Sequence, residues 1–166
     1  MTMDKRGYRK QVRIIIVKND MILLGEKYKN SKFNNYSFPG GGVDEGDTPE
    51  ETVIKECLEE VGIEVDSVLS LGITMRYEHL TNPERAKIYR GGEDTWYICK
   101  FKNFDSKLLG SQGDSFVYSW ETVDKAIELI HQAPKFQFNK VHLSVLNSIR
   151  SHSYLNKMSK NSFTNW

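Results

Sequence analysis

Cysteine is scarce in this chain. Only Cys57 and Cys99 occur in 166 residues, in no CxxC or other metal-ligand spacing. That excludes a disulfide framework and fits a reducing compartment, so a cytoplasmic location is expected. Cys57 lies in an apolar-periodic stretch and reads as a small buried side chain. Long apolar runs are missing as well. "IIIV" at Ile14–Val17 is far too short to span a bilayer, and "MTMDKRGYRK" lacks the apolar core of a signal peptide. No membrane partner is expected. Net charge is only +1, which by itself demands no polyanionic partner. Acids are absent from Gln132 to Trp166, where Lys135, Lys140, Arg150, Lys157 and Lys160 lie, and "KRGYRKQVR" near the start is also basic. These basic ends read either as solvated termini or as a rim that attracts phosphate.

What is present is ordinary globular material. Hydrophobic residues make up 39% and charged residues 27%, enough for one compact core. Residues 1–155 are expected to form a single domain, followed by a polar tail, 156–166. "VRIIIV" reads as a buried strand, "KND" as a turn and "MILLGEKY" as the returning strand. "KNSKFNNYSFPGGG" is polar and Gly-rich and reads as a loop. A helix is expected from Pro49 to Val61. Thr48 is its N-cap, Pro49 suits the first position, Glu51 completes a T-x-x-E box and Gly62 is a stop. "VLSLGITMRY" reads as a strand. "TNPERAKIYRGGEDTWYICKF" reads as a loop leading into the strand "TWYICKF", and "SFVYSW" as a further short strand. "TVDKAIELIHQ" and "KVHLSVLNSIRSHSYL" carry helical periodicity. This order predicts an α/β fold, a mixed sheet flanked by helices.

The concentration of acid between Gly40 and Ile63 breaks two local rules. On a helix from Pro49, Glu56 lies beside both Glu59 and Glu60 on one face, and such like-charge pairs cost about 0.2–0.5 kcal/mol each. They also crowd the helix C-terminus, where the macrodipole disfavours negative charge. A solvated acidic face is one reading. The other is a cradle for a divalent cation, since clustered carboxylates are the hard oxygen ligands that Mg²⁺ or Mn²⁺ takes.

The whole segment resembles the Nudix box, the signature of the Nudix hydrolases: Gly41, then Asp47, then "KECLEEVGI" from Lys55 to Ile63, with "SFPGG" similar to the family's lead-in. Asp47 stands where the pattern has Glu, Lys55 where it has Arg and Cys57 where it has an aliphatic. Lys keeps the charge of Arg but loses its planar fork. The resemblance implies a Nudix-like α/β/α sandwich. It also implies a metal-dependent pyrophosphohydrolase that cuts a nucleoside diphosphate linked to another moiety by water attack at phosphorus. Nucleotide sugars, ADP-ribose, dinucleoside polyphosphates and (d)NTPs are the candidate substrates.

By that resemblance Glu56, Glu59, Glu60 and the Gly40 carbonyl are the candidate metal ligands, with Mg²⁺ or Mn²⁺ as cofactor. Asp47 and Lys55 are supporting residues. Glu59 or Asp114 is the candidate base, Asp114 reading equally as a turn residue in "LLGSQGDSFVYSW". Glu93 and Asp94 are rivals for that role and also read as turn residues. Tyr36, Tyr77, Tyr89 and Trp96 are candidates to stack a base or to fill the core. A nucleotide-type small molecule is the expected partner, RNA a secondary one near Phe136 and Phe138, and a homodimer is a possible assembly. Two alternatives stay open: an RNA 5′-end pyrophosphohydrolase or decapping enzyme, and a nucleotide-binding protein without useful hydrolysis.

Overall fold

The computed structural model describes residues 7–78, 88–105, 116–134 and 136–151. The core strand β1 (Tyr8–Lys18) carries the run "VRIIIV" and has helices on both of its faces. Side chains alternate across a strand, so the run divides its apolar residues between the two faces. Val12, Ile14 and Ile16 pack with Val53, Cys57 and Val61 of helix α1 (Pro49–Val61). Ile15 and Val17 pack with Ala126 and Ile130 of α2 (Val123–Gln132) and with Val145, Leu146 and Ile149 of α3 (Asn139–Ser151). The result is an α/β/α sandwich, as expected.

The other strands are β2 (Met21–Lys29), β3 (Lys32–Ser37), β4 (Gly40–Gly42), β5 (Ile63–Glu78), β6 (Gly91–Phe104) and β7 (Phe116–Thr122). The sheet runs β3-β2-β1-β6-β5, with β7 on β2 and β4 on β1. It is mixed: β1 and β6 are parallel from Tyr8↔Gly91 to Val17↔Lys100, and the remaining pairs are antiparallel. β1 meets β2 only at Val17↔Ile22 and Lys18↔Met21. Further back, β1 pairs instead with β4, Gln11↔Gly42 to Arg13↔Gly40. The sheet therefore forks at β1, and the chain from Lys32 to Gly42 fills the fork, pairing first with β2 and then with β1.

Two expectations are corrected here. "KNSKFNNYSFPGGG" contains strands β3 and β4. Its polar residues Asn34, Asn35 and Ser37 line a cavity at the fork, while Phe33, Tyr36 and Phe38 reach the core. Glu93 and Asp94 are not turn residues, because β6 begins at Gly91 and carries both. The expected strand "VLSLGITMRY" starts earlier, at Ile63, directly after the helix stop. The helix expected to reach Leu155 is described to Ser151, and residues 152–166, including the tail, lie outside the described residues. Among the described residues, no helix is long and apolar enough to cross a membrane.

Candidate active site

The site begins with the local rules that place α1. Thr48 Oγ1 accepts the backbone N–H of Glu51 at 3.1 Å, and Pro49 opens the helix. Gly62 ends it in the left-handed region, φ 65°, donating back to Leu58 O at 3.0 Å. Val53, Cys57 and Val61 fix the buried face. The helix therefore lies across β1 and β4 with Glu56 and Glu60 facing the glycine strand.

Contact between helix and strand is close. A Cβ on Gly41 would sit 2.4 Å from the Glu56 carboxyl, so only glycine leaves room for it. Glu60 Oε2 accepts the backbone N–H of Gly40 at 3.1 Å. Burial raises the Glu56 pKa, and the neighbouring Glu59 charge and Asp44 raise it further, against Lys55 and Arg9. Glu59 is exposed on the same turn. Lys55 Nζ lies 3.2 Å from Asp44 Oδ2 and 4.0 Å from Asp47 Oδ2, so the two charged residues among the three that depart from the family pattern face each other across the turn before α1. Asp44 chiefly, with Glu59 and Asp47, pushes the Lys55 pKa up.

The donor set suits a hard divalent cation in kind. Carboxylates gather beside a glycine strand with no side chains of its own, and a cation would relieve the repulsion that raises Glu56. Among the described residues, no three His, Cys, Asp or Glu side chains converge closely enough to hold one ion in the present rotamers. Holding an ion would therefore need these side chains to adjust, and Glu60 is at present engaged by the Gly40 N–H. Asp114, the other candidate base, lies outside the described residues.

A cavity of about 350 Å³ opens from these glycines into the fork of the sheet. Gly40, Gly41, Gly42 and Glu60 line one part of it, and Arg9, Gln11 and Arg13 of β1 form a polar wall. Arg9 was not singled out in the sequence. Its guanidinium lies over Gly42, 2.3 Å from where a Cβ would be, and no ion pair ties it among the described residues. Arg13 is engaged: its Nε lies 3.2 Å from Asp94 Oδ2 and its Nη1 donates to Phe38 O at 3.4 Å. Burial raises the Asp94 pKa, and Arg13 opposes this. Glu93 instead accepts from Arg76 Nε at 2.6 Å.

The cavity also has aromatic walls. Phe136 and Phe138 reach it, with ring centroids 5.1 Å apart. Trp96 lines it but is 1% exposed, and Tyr36 is core rather than a free platform. Tyr77 packs edge-on against Phe138 and donates to Gln11 Oε1 at 2.7 Å. His142 was missed because it sits in a helix with ordinary apolar periodicity. It is 4% exposed, edge-on to Phe38 and Trp96, and burial lowers its pKa to about 4. Both cysteines are buried and free.

A mixed-sheet sandwich with an acidic helix set against a glycine strand, at the mouth of a cation-walled cavity, defines a phosphoanhydride hydrolase of the Nudix type. The NUDIX domain family model matches residues 7–142, and the chain belongs to that family. An RNA pyrophosphohydrolase of Caulobacter vibrioides is 29% identical over 140 residues, covering 77% of this chain and 80% of that one. One from Pseudoalteromonas atlantica is 31% identical over 123 residues, covering 68% of each. The NUDIX hydrolase from Nitrosomonas europaea shares the fold, with a TM-score of 0.64 at 14% identity over 87% of this chain and 89% of that one. The protein is accordingly a hydrolase of the pyrophosphatase kind.

Proposed function

We propose that this protein cleaves a nucleoside diphosphate linked to another moiety, with divalent cations held by Glu56 and Glu60 and by Glu59 or the Gly40 carbonyl. The observation that carries the reading is the Glu56 carboxyl lying on Gly41 while Glu60 meets Gly40, at the cavity that Arg9 and Arg13 wall. Mg²⁺ or Mn²⁺ bound there would neutralise the diphosphate and bring a water toward its ionised form at neutral pH. The protein supplies the rest. Arg9, untied among the described residues, binds substrate phosphate. Glu59, exposed at the rim, or Asp114 takes the proton of the attacking water. Lys55, bridging Asp44 and Asp47, holds the turn that delivers Gly41 and α1.

A second reading narrows the substrate to the 5′ end of RNA. It is favoured by the two relatives named RNA pyrophosphohydrolase. The deciding experiment is phosphate release from a panel of nucleotide derivatives and 5′-triphosphorylated RNA, with Mg²⁺, Mn²⁺ or EDTA, beside Glu60→Gln. Gln keeps an acceptor for the Gly40 N–H, so the fold should survive. Turnover should fall by about 100-fold or more, beyond the loss typical of a group that only orients a ligand. Equal turnover in the variant would remove Glu60 from the site. Silence of the wild-type protein across the panel, with ligand still bound, would favour a binding protein.

A further inference from the structure

A second cavity, of about 590 Å³, lies on the α1 side of the sheet and meets the carboxylate site at Glu60. Its walls are aromatic: Phe101 and Phe104 at the end of β6, and Phe116, Tyr118 and Trp120 along β7. Alternation puts the three β7 rings on one face of the sheet. Phe116 and Tyr118 stack at 5.9 Å and 26°, while Phe101 and Trp120 meet edge-on at 5.8 Å. Two lysines stand over these rings. Lys18 Nζ is 4.6 Å from the Phe101 centroid and 5.7 Å from that of Trp120, and Lys27 Nζ is 5.5 Å from that of Phe116. Phe104 is 55% exposed.

Flat π-faces interleaved with cations are the means by which proteins hold single-stranded nucleic acid: rings stack the bases and lysines follow the phosphates. The groove is also continuous with the diphosphate cavity, because Glu60, Phe116 and Tyr118 line both. A mononucleotide held at Gly40–Gly42 has no second base to place beyond Tyr118. A chain held by its 5′ diphosphate does.

We propose that this groove binds the nucleotides downstream of the 5′ end of a single-stranded RNA substrate, with bases on Phe101, Phe104 and Trp120 and phosphates on Lys18 and Lys27. The proposal rests on the hydrolase reading of the Glu56 and Glu60 site, and adds binding without a new chemical step.

The test compares a 5′-triphosphorylated RNA hexamer with the nucleoside triphosphate carrying the same first base. The variant is Phe104→Ser with Lys18→Gln, exposed positions that take no part in the proposed chemistry. KM for the hexamer should rise about tenfold, within the contribution of a single stacked base, while kcat and both constants for the mononucleotide stay unchanged. Fluorescence anisotropy of a 3′-labelled hexamer in EDTA should show the same loss without turnover. Unchanged hexamer KM and anisotropy overturn the proposal, as does an equal rise in KM for the mononucleotide. So does a wild-type dimer in sedimentation that the variant loses while RNA binding is unaltered, because the groove would then be covered by a second copy. If the wild-type protein hydrolyses neither substrate but the variant still loses RNA binding, the hydrolase reading fails and the groove stands.

Discussion

At the scale of single residues, Lys55 and Asp47 are the charged positions at which this chain leaves the Nudix pattern, and they meet across the turn. An arginine could span two carboxylates with its planar fork, whereas Lys55 reaches Asp44 at 3.2 Å and Asp47 only at 4.0 Å. Lys55→Arg combined with Asp47→Glu should therefore raise kcat, by about three- to tenfold if the turn acts as an orienting shell for the carboxylates. An unchanged or lower kcat would show that the native pair is already matched. Gly41 gives a sharper test. In Gly41→Ala the new Cβ would meet the Glu56 carboxyl at 2.4 Å, so Glu56 must move. Turnover should fall by about 100-fold with the melting temperature nearly kept, since only one side chain at the rim is displaced. Retained turnover in that variant would argue against Glu56. Glu56, Glu59 and Glu60 were legible because one helix turn carries them. Arg9 and His142 were not singled out, and the pairing of Asp94 with Arg13 was not foreseen, because these contacts exist only where separate elements meet: Arg13 and Asp94 are 81 positions apart.

Elements differ in how locally they are specified. The bounds of α1 were readable at both ends because the cap, the first-turn proline and the left-handed glycine act within a few residues. Thr48→Ala should lower unfolding free energy by about 1 kcal/mol, measured by urea titration, because the Glu51 N–H loses its acceptor. No change would mean water replaces the hydroxyl at no cost. β4 was not readable, since three glycines have low strand propensity and form a strand only because β1 offers its edge. The start of β6 was hidden in the same way behind turn-like "GGED", whose strand state comes from parallel pairing with Tyr8–Gln11. The Arg13–Asp94 pair ties β6 to β1. Asp94→Ala should cost about 2–3 kcal/mol, below the usual cost of breaking a fully buried pair because Arg13 keeps 28% of its side-chain exposure. A loss under about 1 kcal/mol would mean that solvent screens the pair.

For the whole molecule, the fork at β1 reconciles a continuous core with an open site. Helices pack on both faces of the sheet, yet the glycine strand leaves a cavity reaching inward as far as His142. His142 then links the cavity to stability. It sits among Phe38, Trp96 and Phe138, its Nδ1 has no hydrogen-bond partner among the described residues, and Arg13 adds repulsion to the desolvation of a charged imidazole. Its pKa is about 4 in the folded protein, against 6.5 for the unperturbed side chain. Between those values the unfolded chain binds a proton that the folded protein refuses. Stability contributed by the neutral ring is therefore complete above pH 6.5 and is lost progressively as pH falls toward 4. A separation of that size corresponds to about 3 kcal/mol over the window. His142→Phe should remove this slope, giving a variant whose melting temperature changes less between pH 7 and pH 4.5 than that of the wild-type protein. Parallel melting curves across that range would show that the imidazole is solvated or paired in solution, and that the inner end of the cavity is wetter than the packing of its aromatic walls implies.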